Sequence, residues 1–319
     1  MKQARTVLPT YSADTFGVCS ALYELGGMTV MHDASGCNST YSTHDEPRWY
    51  DTDSMVFISA LTEMEAIMGD DGKVLGDMLA AVTELHPKFA ALAGTPIPMM
   101  TGCDIPAIAR QLEEESGIPC FGFQTNGMRS YLCGASEALE AVARRLVEPQ
   151  TNMRPGTLNI LGATPLDFSI TGSVEAMVER LQKSGWRILS TWAMGSSLEE
   201  IRRAGEAQVN LVVSGAGLKA AKVLEERFGT PYVVGTPIGE MFTRRIVRQL
   251  GRSARDGKSR MAISGAKVPV DRTVCIVGES VISRSLAGAF LMECSFVPRV
   301  VCPLENLPEL EGVLSPGDV

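Results

Sequence analysis

The sequence predicts an α/β protein in which helices cover parallel sheets. Three observations point there. Short, apolar, β-branched runs alternate with amphipathic helical runs along most of the 319 residues. Turn-forming residues gather at two places, 148–156 and 253–267, and divide the alternation into three stretches. The last stretch holds two strands and little more than one helix, too few to bury both faces of a parallel sheet.

Apolar spacing places the elements in order. A helix is expected over 14–25 and a strand over 28–31. A strand at 55–59 leads into a run at 62–68, where Thr62 and Glu63 suit a helix cap. Next come a helix at 73–85, a strand at 89–92, a helix at 104–116 capped by Asp104, a strand at 119–122 and a helix at 136–147. Beyond the first boundary, strands at 158–161, 187–190, 210–213 and 232–234 alternate with helices at 173–184, 198–204, 218–228 and 239–251. The charged, small-residue segment 253–267 reads as an exposed, mobile boundary. Strand 273–277, helix 281–293 and strand 299–302 follow. The expected architecture is a tandem of Rossmann-like domains at 1–150, 151–256 and 268–319, the third incomplete.

Composition narrows the function classes. Hydrophobic residues make up 45% and charged residues 21%, which suits a packed globular chain. The net charge of -8 offers no basic field for nucleic acid or an anionic membrane. No apolar run spans a bilayer and the first ten residues lack a signal-peptide core, so a cytoplasmic location is expected. Eight cysteines include no C-x-x-C pair. A metal site would therefore draw on distant positions or on two chains.

Several residues bear chemistry. The segment from His32 to Asn38 follows an apolar strand, with Gly36 allowing a turn and Cys37 in the loop at the strand's carboxyl end. Cys37 reads either as a thiolate ligand for iron or as an inert buried thiol. Cys19, among Phe16, Leu22 and Tyr23, reads as core. Cys103 precedes a helix whose positive end would lower its pKa, making it a reactive, ligating or merely structural thiol. Cys275, inside an apolar strand, is expected in the core. The run from His44 to Asp51 would line a redox site, with His44 as proton donor, or form a subunit interface, the preferred reading. The loop at Ser214 would bind a small anion through backbone N–H groups or serve as an ordinary turn.

The chain resembles the nitrogenase component 1 family. The resemblance rests on His32, Gly36 and Cys37, then Glu46-Pro47, then Thr62-Glu63 before Gly69. It continues through Asn159-Ile160-Leu161-Gly162, Ser190-Thr191-Trp192, the run from Glu225 to Pro231, and Val277-Gly278-Glu279. Each motif is weak alone; their order and spacing carry the likeness. It implies an oxidoreductase subunit fed by a separate ATP-dependent iron–sulfur reductase, and a bridging cluster of the [4Fe-4S] type. It also implies a homodimer or a paralogous partner subunit. Cys37 matches the central cluster cysteine. The first cluster position falls near Tyr11 or Ser12 and the third at about Pro96, with Cys19 and Cys103 nearby but off the matched positions. Ser214 matches the family's cofactor cysteine, and serine is a poor substitute for a soft thiolate. The alternative expectation is a non-catalytic scaffold or cofactor-assembly partner lacking a cluster.

Overall fold

The computed structural model describes residues 12–34, 36, 38, 41, 46–149, 152–263 and 270–304, with the backbone alone for 270–273. The chain opens with α1 (Asp14–Leu22), β1 (Met28–Met31), β2 (Met55–Ile58), α2 (Glu63–Met68) and α3 (Gly72–Leu85). It continues through β3 (Ala90–Ala93), α4 (Pro96–Thr101), α5 (Ile105–Ser116), β4 (Cys120–Phe123) and α6 (Tyr131–Arg145). The four strands form a wholly parallel sheet of order β2-β1-β3-β4. β1 and β3 are buried along their whole length, so they read as unbroken apolar runs rather than alternating ones. Ala91 and Ala93 face one layer with Val18, Leu22 and Leu139; Ala90 and Leu92 face the other with Val74, Met78, Ile108 and Leu112. α1 and α6 thus cover one face, and α3 and α5 the other.

α1 meets α6 at two glycines. A Cβ on Gly17 would lie 2.0 Å from the Tyr131 carbonyl oxygen, and one on Gly134 would lie 1.8 Å from that of Asp14. The buried Asp14 carboxylate accepts the backbone N–H groups of Asn126 and Gly127 and pairs with Arg129. This ties the start of α1 to the turn before α6.

The next elements are β5 (Arg154–Leu161), α7 (Pro165–Phe168), α8 (Ser173–Lys183), β6 (Arg187–Thr191) and α9 (Leu198–Arg202). They are followed by β7 (Ala207–Val212), α10 (Leu218–Phe228), β8 (Tyr232–Val234), α11 (Glu240–Asp256) and β9 (Arg260–Met261). Their sheet is parallel, in the order β6-β5-β7-β8-β9. A buried polar chain runs through it: Trp192 Nε1 donates to Ser190 Oγ, which donates to Asn159 Oδ1, and Asn159 Nδ2 donates to Asn210 Oδ1. α10 packs on α6, and one apolar cluster runs from Val18 through Leu139 to Val234. The first two sheets therefore share a core.

The expectation of a mobile boundary at 253–267 is corrected for its described part. Phe242, Ile246, Leu250 and Ser253 form one buried stripe, so α11 runs on to Asp256. Arg260 then pairs with Asp256, β9 joins the second sheet, and Ala262 and Ile263 are buried. Residues 264–267 lie outside the described set.

β10 (Val270–Val277), α12 (Ser280–Cys294) and β11 (Val297–Val301) come last, and the two strands pair in parallel. The reading of Cys275 as core is also corrected. It is exposed, as is Val277, because the described part of this two-stranded sheet has a helix on one side alone. No helix among the described residues is long and apolar enough to cross a membrane.

Candidate functional site

Open parallel sheets bind ligands at the carboxyl ends of their strands, and the chemistry-bearing residues of the first sheet lie there. His32 directly follows the central strand β1. Its backbone N–H donates to Ala93 and its carbonyl accepts the Thr95 hydroxyl. Asp33, also buried, shapes the following loop by accepting Ala34 N–H and Asn38 Nδ2. Among the described residues, none would lie within 4 Å of a Cβ at the exposed Gly36. Cys37, His44 and Asp45 lie outside the described residues.

His32, Asp71 and Cys103 converge at this edge, with one ligand atom from each lying within 4.8 Å of the others. Cys103 Sγ donates to Asp71 Oδ1 at 3.5 Å. Burial pushes the Cys103 thiol up to about 12, and the Asp71 carboxylate adds to the rise. The sequence expectation of a thiol acidified by its helix end is thereby corrected. The nearby anion and the low-dielectric setting outweigh the helix dipole. Burial lowers the His32 pKa, which favours the neutral imidazole.

The other expected residues separate from this group. Cys19 is fully buried among Phe16, Tyr23, Met31 and Tyr41, and burial drives its thiol pKa strongly upward. Ser12 is buried, with its carbonyl accepting the Tyr131 N–H. Glu46 and Arg48 form a buried ion pair within the chain. Arg48 also donates to Glu24, to the Ser20 carbonyl and to the Ala193 carbonyl beside the second sheet. Tyr50 projects from that turn, 82% exposed, beside the exposed Asp51 and Thr52. Thr62 caps α2 in a capping box whose acidic partner is Glu65.

Ser214 is fully buried at the end of β7 and donates to the Gly162 carbonyl. The anion at this loop is the protein's own. The Glu279 carboxylate accepts Gly215 N–H at 3.0 Å, together with Val281 and Ile282 N–H at 2.9 Å each. Asp167 lies close by, holding Tyr131 Oη and Thr164 Oγ1. Burial, reinforced by the charge of Glu279, raises the Asp167 carboxyl to about 7.

The fold defines a class: an α/β protein of tandem parallel sheets, with a histidine, an aspartate and a cysteine close together at the strand ends of the first. The model of the nitrogenase component 1 type oxidoreductases matches residues 15–272, and the chain belongs to that family. It is 28% identical over 179 residues to the nitrogenase iron-molybdenum cofactor biosynthesis protein NifE of Clostridium pasteurianum, covering 56% of this chain and 38% of that one. It is 24% identical over 195 residues to the nitrogenase molybdenum-iron protein alpha chain of Methanosarcina barkeri, covering 60% and 36%. A light-independent protochlorophyllide reductase subunit of Chloroflexus aurantiacus is 28% identical over 204 residues, covering 61% and 35%. The matched region thus spans well under half of each relative. Nitrogenase Cp1 at pH 6.5 superposes with a TM-score of 0.71 at 17% identity, over 96% of this chain and 65% of that one, a likeness of fold.

Proposed function

We propose that the chain is a subunit of a nitrogenase component 1-like oxidoreductase that holds an iron–sulfur cluster at the loop after β1. In this reading an ATP-dependent iron–sulfur reductase supplies its electrons. The observation that carries it is the family match over 15–272, which includes the exposed Gly36 and its neighbour Cys37, in the loop after the central strand. A bound [4Fe-4S] cluster would supply one-electron transfer. Cys37 would furnish a thiolate, Asp33 holds its loop in shape, and Ser12 is the other candidate donor of this chain, since Cys19 is enclosed in the core. A four-iron cluster takes about four protein ligands. A second copy of the chain or a paralogous subunit would then complete the set. An exposed apolar surface supports such a partner: Met64, Ile67 and Met68 of α2 lie beside Met99 and Met100 of α4, on the same edge of the sheet.

A second reading, a cofactor-assembly or scaffold protein, is favoured by the likeness to NifE and by Pro96 at a matched cluster position. Anaerobic purification with iron and sulfide separates the two. The oxidoreductase reading expects bound iron and sulfide in the parent chain, and Cys37→Ala to lose the iron while circular dichroism stays unchanged. A parent chain that takes up no iron, or a Cys37→Ala variant with its full iron content, leaves the scaffold reading in its place.

A further inference from the structure

The connections that leave the carboxyl ends of β1, β2 and β3 bring together one side chain each, His32, Asp71 and Cys103. We propose that His32, Asp71 and Cys103 form a mononuclear site for a divalent transition-metal ion of the zinc class, with a fourth coordination position open to water. The inference does not depend on the cluster reading, because it uses other residues.

The separations fit. Cys103 Sγ and Asp71 Oδ1 are 3.5 Å apart. Tetrahedral zinc, with bonds of about 2.3 Å to sulfur and about 2.1 Å to oxygen, places those two atoms about 3.6 Å apart. All three ligand atoms lie within 4.8 Å of one another. Closing a 4.8 Å gap to tetrahedral spacing takes about 1.3 Å, within reach of side-chain rotations. The donor set of one imidazole, one carboxylate and one thiolate suits borderline ions. The hard ions magnesium and calcium take oxygen ligands instead.

Two further details favour a ligand. Asp71 is the N-cap residue of the 14-residue helix α3, yet its side chain makes no cap hydrogen bond. Such a bond contributes about 1 kcal/mol to a helix. Asp70 accepts the Gly72 N–H instead, and the Asp71 carboxylate turns toward Cys103. Ser59 orients the His32 ring through Nδ1. Ser59 Oγ accepts the Asp33 N–H at 3.1 Å and directs its own hydrogen at the Asp33 carbonyl at 3.3 Å. His32 Nδ1 lies 2.8 Å from Ser59 Oγ, and in the tautomer that donates Nδ1–H to it the Nε2 lone pair is left for a metal.

The test uses the full chain carrying Cys37→Ala, purified in air without iron or sulfide and titrated with Co2+ and then Zn2+. One Co2+ per chain is expected, with a near-ultraviolet thiolate-to-cobalt band and the visible bands of tetrahedral cobalt, all displaced by Zn2+. Cys103→Ser should lose the thiolate band. Asp71→Asn, at a partly exposed helix start where folding is tolerant, should weaken binding at least about tenfold. Ser59→Ala, acting through His32, should weaken it about 10- to 100-fold. Circular dichroism monitors the fold of each variant. The inference is overturned if the parent chain binds neither ion at micromolar concentration, if the thiolate band survives Cys103→Ser, or if folded Asp71→Asn binds as tightly as its parent.

Discussion

Arg48 is 3% exposed and fully charged, and its guanidinium donors are used inside the chain. Nε and Nη2 hold the two oxygens of Glu46; Nη1 reaches Glu24 and the Ala193 carbonyl, and Nη2 also reaches the Ser20 carbonyl. The ring of Tyr23 lies 4.6 Å beneath it. Removing this one side chain leaves a buried carboxylate without its cation. Arg48→Ala should therefore cost about 3–5 kcal/mol of stability in urea unfolding, whereas Arg48→Met combined with Glu46→Leu should recover most of it. The density of polar and aromatic residues at 44–51 was visible in the sequence, and an interface was the natural reading. The partners of Arg48 within the chain could not be read there, since Ala193 lies 145 positions away. The same limit hid the His32, Asp71 and Cys103 convergence. Cys103 was noticed alone, but 32 positions separate it from Asp71, and the order of the strands alone brings them together.

Among the elements, most strands and helices were legible from apolar period, often to within two residues. α4 and α7 were not. Each begins at a proline, which reads as a turn in a sequence but also fits the first turn of a helix, where no N–H partner is needed. The end of α11 was missed because its last buried contact is Ser253, a small polar residue that continues the stripe of Phe242, Ile246 and Leu250. The tightest element contact, α1 against α6, was equally invisible, since it depends on side chains that are absent. Gly134→Ala would drive a Cβ into the Asp14 carbonyl oxygen, backbone that cannot rotate aside. The helices must separate, and about 3 kcal/mol should be lost. Gly251→Ala is the control. Gly251 sits in α11 with open space around it, so the substitution should be neutral or stabilising by up to about 1 kcal/mol in the same unfolding experiment.

At the scale of the whole molecule, Tyr131 of α6, Asp167 of α7 and Glu279 before α12 join the three sheets through one enclosed acid pair. The Asp167 pKa is raised in the folded chain to about 7 from 3.8. Between those values the folded chain keeps a proton that the unfolded chain has released, so stability falls as pH climbs through that window. Asp167→Asn removes this titration. Its stability relative to the parent should improve from about pH 5 to about pH 8, and a difference independent of pH would show that Asp167 does not titrate in this range. Glu279 has another consequence, one of timing. It reaches Gly215 across 64 positions. On a chain emerging from the ribosome, the second sheet can pair its strands long before the acid that seals the β7 turn has been synthesised. Until then the Gly215 amide lacks its acceptor, so the third sheet finishes the second, and the two should lose structure in a single cooperative step.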